Sequence, residues 1–340
     1  MADFLSAKAV VKRSRPGLPC FFNRAVLIFA CSGTKGKMKT VMMGAGAMGS
    51  LLGGLLTLSG EEVWLVDIWK EHIEAIRSKG LSIKDQGEIR TVRVNITEEV
   101  TSAGKADLVL FFVKTYHTAK AVSDSLALQK ENTIFLSLQN GLGNEEVICQ
   151  QIDRKKVLLG VTNHGATLLG PGRIRHAGRG KTSLGELDGR MTDRVAQIAQ
   201  MFRKAGIETE VSASIHDLIW TKLFVNIGMN ALTALTGFKN GQLLDYPETL
   251  GLMEALVSEA VEVAKRMGVR IEGNPIEKVK AVAEATRENR SSMGQDFDYK
   301  RKTEIDAING AVVREAERLG ISVPYNQMIT DLVKVIERRF

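Results

Sequence analysis

A stripe of polar side chains follows one predicted helix in the second half of the sequence. Lys222, Asn226 and Asn230 recur every four residues and so share one helix face, whereas most neighbours from Trp220 to Leu232 are apolar. Burying these groups without partners costs roughly a few kcal/mol each, which a polar ligand would offset. Burial would also lower the pKa of Lys222, so that it could give up a proton, as reduction of a carbonyl group requires. The alternative is that the stripe faces solvent or pairs with a carboxylate from another domain.

A glycine-rich hexapeptide in the first half has the spacing of a dinucleotide-binding turn. Its residues are Gly44, Ala45, Gly46, Ala47, Met48 and Gly49. The first glycine allows a tight turn, the second lets the backbone approach a pyrophosphate, and the third lets helix and strand pack closely. The motif follows an apolar, strand-like run and opens a helix-like run. This context favours a bound dinucleotide over a glycine-rich turn without a ligand.

Asp67 ends the next strand-like run, 23 residues after Gly44. A carboxylate at this place can accept hydrogen bonds from the hydroxyls of an adenosine ribose, and it would repel the 2′-phosphate of NADPH. Taken alone, Asp67 favours NADH. Lys70 follows one turn later and could offset the repulsion, or it is an ordinary surface charge.

A second group of polar residues lies between residues 289 and 310. Apolar residues at helical spacing predict a helix over residues 303–319, with Glu304 on its buried side. Asn289 and Ser292 come before it, in a stretch that reads as a loop with donors suited to a substrate carboxylate. Ser and Asn also cap helices, so the spacing alone leaves both interpretations open.

Secondary-structure signals divide the chain into two parts. Apolar runs typical of buried parallel strands alternate with helix-like segments up to about residue 213. These strands are predicted at residues 40–43, 63–66, 108–113, 134–138 and 157–161. After residue 214 only helical patterns remain, at residues 214–235, 248–267, 276–287, 303–319 and 324–338. The sequence therefore predicts an α/β, Rossmann-type doubly wound domain at 38–213 and an all-α domain at 214–340, with the site at their junction.

Positive charge is concentrated at the N-terminus. Residues 1–37 carry seven Lys and Arg against one Asp, so they account for +6 of the formal net charge of +7. The nearly neutral remainder offers no basic stripe, and we expect no nucleic-acid partner. We interpret residues 1–37 as a leader that is disordered or precedes a natural start at Met38. Arg24 interrupts the only apolar stretch there, which disfavours a secretory signal, while organelle targeting stays open.

Cysteine spacing and hydropathy bear on metal binding, cellular location and membrane association. Cys20, Cys31 and Cys149 have no metal-like or redox-like spacing, so we expect no metal site and a reducing, cytoplasmic location. No run reaches the ~20 apolar residues that cross a bilayer, so we expect no membrane partner. The oligomeric state is open, and a homodimer is one option.

Several ordered motifs together resemble one family, the ketopantoate reductases (2-dehydropantoate 2-reductases). The matching strings are GAGAMG from Gly44, VK at Val113, QNGLGN from Gln139, GATLLGPGRIRHAGRG from Gly165, WTKLFVN from Trp220, SSMGQD from Ser291 and TEIDAINGAVV from Thr303. They run from about Met38 to the C-terminus. The resemblance implies a Rossmann domain, a helical domain, and reduction of 2-dehydropantoate to (R)-pantoate in the route to pantothenate and coenzyme A.

The resemblance also implies a role for each matching position. Lys222 corresponds to the general acid that protonates the C2 oxygen as hydride arrives. Asn140 corresponds to a residue that touches both cofactor and substrate, and Lys114 to a lysine on the cofactor side. The remaining matches are the substrate positions Asn226, Asn230, Asn240 and Ser292, and the cofactor positions Ala166 and Glu304. The family implies NADPH, but Asp67-Ile68 stands where it often carries a basic residue, so NADH competes.

Three functions are compatible with these features. The first is 2-dehydropantoate reduction, with a small 2-oxo acid as substrate. The second is reduction of another branched 2-oxo acid, because the glycine loop and the lysine would serve any such ketone. The third is a dinucleotide sensor without catalysis, which leaves the stripe of Lys222, Asn226 and Asn230 without a purpose.

Overall fold

The computed structural model describes residues 37–340, and the proposed leader at residues 1–37 lies outside them except for Lys37. An eight-stranded sheet forms the first half of this region, in the spatial order β12-β11-β8-β7-β6-β1-β2-β5. Its strands are β1 (Lys39–Met43), β2 (Glu62–Val66), β5 (Asn95–Thr97), β6 (Leu108–Phe111), β7 (Ile134–Ser137), β8 (Val157–Thr162), β11 (Thr182–Glu186) and β12 (Thr209–Val211). All neighbouring pairs are parallel except β8 with β11. The sheet is thus mostly parallel.

Alternate residues of β1 show that both faces of this sheet are covered. Met42 belongs to a core shared with helices α1 (Ala47–Leu58), α2 (Lys70–Lys79) and α5 (Asp193–Lys204). Val41 and Met43 belong to a separate core on the opposite face, shared with α3 (Thr118–Ser125) and α4 (Asn144–Cys149). Burial on both faces explains why the strands read as continuous apolar runs rather than alternating ones. The doubly wound architecture expected from the sequence is confirmed.

The first half also contains a second, four-stranded sheet. It has the order β4-β3-β10-β9, with β3 (Leu81–Asp85), β4 (Glu88–Val92), β9 (Gly165–Gly170) and β10 (Arg173–Gly178). Only β3 and β10 pair in parallel. The sheet packs on α1 through β9 and β10. Most residues of β4 are exposed, so it lacks the apolar signal on which the strand predictions depended.

Helices make up the second half. They are α6 (Ile215–Thr236), α7 (Pro247–Arg266), α8 (Pro275–Ala285), α9 (Ser292–Asp298), α10 (Asn309–Leu319) and α11 (Pro324–Glu337). Helix α6 packs against α7, α8 and α9, and its apolar residues lie at the centre of a core separate from those of the sheet. The all-α character is confirmed. Because residues 37–340 pack as one unit, the domain boundary at 213/214 stays a prediction.

Two predictions about residues 289–319 were wrong. The chain does not form one helix over 303–319: a 3₁₀ turn at Ile305–Ala307 precedes α10, and Ile308 interrupts them with φ −105° and ψ −95°. Ser292 does not lie in a loop, because it begins α9. The Ser291 hydroxyl accepts a hydrogen bond from the Gly294 N–H at 2.9 Å and caps that helix.

Helix α6 has the length and apolarity of a membrane-spanning segment. It is 22 residues long, and its most apolar window has a mean hydropathy of 1.3. That window is 61% buried inside the protein, as expected for the central helix of a core. The expected absence of a membrane partner stays a prediction.

Candidate active site

Apart from Ala166, the predicted site residues of the first half follow the carboxyl ends of adjacent parallel strands. The glycine loop follows β1, Asp67 follows β2, Lys114 comes three residues after β6, and Asn140 comes three residues after β7. Strand β1 lies between β2 and β6, where the strand order reverses direction. Such a reversal opens a crevice at the carboxyl edge of a doubly wound sheet, which is where ligands bind in this architecture.

The glycine loop has the shape that a pyrophosphate requires. Gly44 has φ +103°, and a Cβ on Gly49 would lie 1.9 Å from the Gly44 carbonyl oxygen, so neither position admits a side chain. A Cβ on Gly46 would meet nothing within 4 Å, so this glycine borders open space. Gly46 is also the N-cap of α1, whose first amides and helix dipole favour an anion. The residues present therefore fit a dinucleotide.

Asp67 braces the same loop from the end of β2. Its Oδ2 accepts a hydrogen bond from the Ala45 N–H at 2.6 Å, and its Oδ1 accepts from the Ile68 and Trp69 N–H groups at 2.8 and 3.0 Å. These bonds hold the carboxylate in one orientation. They leave lone pairs that can still accept from a ribose hydroxyl. The sequence indicated the ribose contact but not the contact with the loop.

Lys222 reaches from α6 to the end of β8. Its Nζ donates a hydrogen bond to the carbonyl oxygen of Thr162 at 2.7 Å. Burial lowers the pKa of Lys222 to about 8, although the negative charge of Glu304 acts in the opposite direction. Asn226, one turn later, is half-buried like Lys222, whereas Asn230 is only 3% exposed. The sequence predicted that all three residues of the stripe are buried, and of the three only Asn230 is fully buried.

Glu304 and Lys114 belong to a charged cluster that joins the two halves. Lys114 Nζ lies 2.6 Å from an oxygen of Asp296 and 3.6 Å from one of Glu304. The Thr115 N–H donates to the other Glu304 oxygen at 3.0 Å. Although burial acts to lower it, the pKa of Lys114 is raised because two carboxylates face one ammonium. Glu304 is thus inward-facing, as predicted, although it lies just before the 3₁₀ turn rather than on a helix.

Asp296 was not among the predicted site residues. It is 7% exposed, and burial raises the pKa of its carboxyl group despite the contact with Lys114. The only available signal was its place four residues after Ser292 in a stretch already singled out. Its partner lies 182 residues away, so the ion pair itself could not be predicted.

The remaining predicted residues occupy three places. Asn230 Nδ2 donates to the Ser292 hydroxyl at 3.5 Å, which brings these two substrate candidates together. Asn240 is buried and donates through Nδ2 to Thr286 Oγ1 at 2.9 Å, while its Oδ1 has no partner among the described residues. The Asn289 side chain is exposed, and its carbonyl oxygen accepts from the Asn240 N–H at 2.9 Å. Finally, Ala166 is half-buried on β9 opposite His176.

The loop that carries Asn140 packs directly on the second half. The Leu142 N–H donates to the Ala307 carbonyl oxygen at 2.9 Å, next to the 3₁₀ turn that follows Glu304. Gly141 has φ +80°, and a Cβ there would lie 2.4 Å from the same oxygen. The Asn140 loop is therefore held against Ala307 by backbone contacts that only glycine permits.

Substituting Gly141 with alanine tests this close contact. We expect a loss of about 3 kcal/mol in the free energy of unfolding, because the positive φ and the clash each cost about 1–2 kcal/mol. The matched control is Gly143→Ala, which has φ +92° but nothing within 4 Å of the added Cβ. It should lose about 1 kcal/mol. Denaturant unfolding of both variants measures the difference, and equal losses would mean that the loop does not pack against Ala307.

Comparison with known proteins identifies the family. The family model described as ketopantoate reductase PanE/ApbA matches residues 40–189, and the model of its C-terminal domain matches residues 214–337. The chain belongs to this family. A 2-dehydropantoate 2-reductase of Halobacterium salinarum is 38% identical over 302 residues, which cover 88% of this chain and 99% of that protein. The resemblance inferred from the motifs is confirmed, as is the class of nicotinamide-dependent oxidoreductase.

Solved structures of two different enzymes share the fold. A PanE/ApbA family ketopantoate reductase of Ralstonia eutropha is 32% identical with a TM-score of 0.83, covering 89% of this chain and 99% of that one. A D-mandelate dehydrogenase, solved with NADH and anilino(oxo)acetate, is 30% identical with the same TM-score and the same coverage. The fold is therefore shared by proteins that differ in substrate.

Proposed function

We propose that this protein reduces 2-dehydropantoate to (R)-pantoate with NAD(P)H, in the route to pantothenate and coenzyme A. The observation that carries the proposal is Lys222, whose pKa is lowered to about 8 and whose Nζ is held by the Thr162 carbonyl. A general acid is most effective when its pKa lies close to the working pH. The relatives named for this reaction and the motifs across both halves support the same assignment.

Each residue of the site has a defined task in this proposal. The glycine loop would hold the nicotinamide cofactor, which would supply a hydride for the carbonyl carbon. Lys222 donates a proton to the carbonyl oxygen and becomes a neutral amine, which can still donate an N–H to Thr162. Asn226, Asn230 and Ser292 offer amide and hydroxyl groups to the polar parts of the substrate. The negative charge of Glu304 favours the protonated form of Lys222 before the proton is transferred.

We further propose that NADH is the preferred cofactor. Asp67 is a fixed negative charge beside the glycine loop, and Ile68, where the family often has a basic residue, is an apolar side chain 73% exposed. Neither favours a 2′-phosphate. The D-mandelate dehydrogenase of the same fold was solved with NADH, which supports the proposal. We expect the reaction in the cytoplasm, where diffusible cofactor and substrate meet.

A second candidate is the reduction of a different 2-oxo acid. It is favoured by the similarity to D-mandelate dehydrogenase, whose ligand in the solved structure, anilino(oxo)acetate, carries an oxo group beside a carboxylate. Initial rates on 2-dehydropantoate, 2-oxoisovalerate and benzoylformate, each with NADH and NADPH, separate the candidates. A kcat/KM for 2-dehydropantoate at least ten-fold above the others supports the first, whereas a higher value for another acid supports the second. Cofactor binding without turnover on any of them would indicate a sensor.

The pH dependence of the reaction follows from the pKa of Lys222. Reduction requires the protonated lysine, which predominates below its pKa of about 8 and is depleted above it. We expect kcat/KM for the 2-oxo acid to be level below pH 8 and to fall about ten-fold per pH unit above it. Rates between pH 6 and 10 measure this limb. A profile that stays level to pH 10 would contradict the assigned pKa.

A further inference from the structure

We propose that Ser50 and His72 form a positioning relay that turns the Gly46 N–H toward the cofactor's pyrophosphate. The inference rests on the proposed cofactor site and names residues that neither the sequence motifs nor the substrate positions include. Ser50 is in the first turns of α1 and His72 is in α2, and both are fully buried. Neither side chain is exposed to a ligand, so the relay acts through the backbone of the glycine loop.

Hydrogen bonds connect the two side chains to Ala45. The Ser50 hydroxyl donates to the Ala45 carbonyl oxygen at 2.7 Å, and its oxygen lies 3.2 Å from His72 Nε2. His72 Nδ1 accepts a hydrogen bond from the Gly172 N–H at 3.0 Å. Gly172 lies in the turn between β9 and β10, so the relay begins in the small sheet and ends in the glycine loop.

These contacts determine the protonation state of His72. The single hydroxyl proton of Ser50 is donated to the Ala45 carbonyl, so His72 must donate to the Ser50 oxygen through Nε2–H. The Gly172 N–H donates to His72 Nδ1, so Nδ1 must be unprotonated. His72 is therefore neutral and in one tautomer. Burial lowers its pKa, although the charge of Asp67 acts in the opposite direction. Trp69, stacked on the His72 ring at 5.0 Å, keeps the ring in this orientation.

The consequence for the loop follows from the planarity of the peptide bond. In a trans peptide the C=O and N–H point in opposite directions, so a carbonyl of Ala45 directed at buried Ser50 sends the Gly46 N–H away from the core. Gly46 is the glycine that borders open space. The preceding peptide is fixed by Asp67 through the Ala45 N–H. The peptide groups on either side of Ala45 are thus oriented before a cofactor arrives, which reduces the entropy lost on binding.

Ligand affinities of a Ser50→Ala variant test the relay. We expect the Kd of NADH and of ADP to rise about ten-fold, the effect of losing one hydrogen bond, while the Kd of adenosine, which lacks the pyrophosphate, changes less than two-fold. Calorimetry and NMR titration of the full chain measure these values without turnover. The matched control is Ser125→Ala, because Ser125 is equally buried and donates to the Val122 carbonyl at 2.7 Å, far along the chain in α3. It should leave all three Kd values unchanged.

Two substitutions of His72 and one spectrum of the cofactor-free protein complete the test. Gln can place an N–H near the Nε2 position and should keep NADH binding within two-fold, whereas Asn reaches only the Nδ1 position and should weaken it about five-fold. In ¹⁵N spectra, His72 should be the neutral Nε2–H tautomer at pH 7. An Nδ1–H or doubly protonated ring, or unchanged NADH binding by Ser50→Ala, would overturn the relay alone. A wild-type protein that binds neither NADH nor NADPH would overturn the proposed function with it.

Discussion

Replacing Lys222 with methionine should lower kcat about a thousand-fold, because general acid catalysis contributes about 10²–10⁴ to such a reaction. Methionine keeps most of the side-chain volume and removes only the proton donor. The Kd of the cofactor should stay within two-fold, since the lysine contacts Thr162 and faces Glu304 rather than the glycine loop. The variant should melt no lower than the wild type, because it no longer buries an ammonium group.

The control for this substitution is Lys265→Ala, an exposed lysine near the end of α7. It should change kcat less than two-fold. Steady-state rates with saturating 2-dehydropantoate give kcat, fluorescence titration gives the cofactor Kd, and thermal melting checks the fold. If Lys222→Met retains more than a tenth of wild-type kcat, another group donates the proton. A loss of cofactor affinity equal to the loss of kcat would instead place Lys222 in the cofactor site.

The parts of this fold that the sequence predicts are those with local signals. Residues 40–43, 108–111 and 134–137 are mostly apolar runs because both faces of their sheet are covered, and the structure has strands there. The hairpin of β3 and β4 lacks this signal because β4 is exposed. The turn between them was not predicted either. Gln86 and Gly87 both have positive φ there, and Gly87 is the local signal for such a turn.

The prediction failed between Glu304 and Asn309 for a tertiary reason. Ile305, Ile308 and Val312 have the spacing of a helix and are indeed buried. The Ala307 carbonyl, however, accepts its hydrogen bond from the Leu142 N–H of the Asn140 loop. The spacing of apolar residues cannot predict a contact with a segment more than 160 residues away. The break in the helix occurs at this contact. The same limit applies to Lys114 with Asp296 and to His72 with Gly172.

The cofactor preference depends on a balance between Asp67 and Lys70 that substitution can resolve. We expect wild-type kcat/KM to be about thirty-fold higher with NADH than with NADPH, because bringing a phosphate close to a fixed carboxylate costs roughly 2 kcal/mol at a partly exposed site. Asp67→Asn should remove most of this difference. Its amide oxygen can still accept from the Ala45 N–H, but its NH2 group cannot accept from the Ile68 and Trp69 N–H groups. Because this loss affects both cofactors, the ratio of the two kcat/KM values is the measurement that reports the charge.

Lys70→Ala serves as the matched experiment for the opposing charge. If Lys70 is only a surface charge at the start of α2, its removal should leave the ratio of the two kcat/KM values within two-fold. If it instead offsets Asp67, the wild type should accept NADPH nearly as well as NADH, and Lys70→Ala should lose NADPH selectively. The proposed NADH preference is wrong in that second case. Since both substitutions are read as ratios of two cofactors on one enzyme, a general loss of activity cancels, and the outcome reports only on the charge that meets the 2′-position.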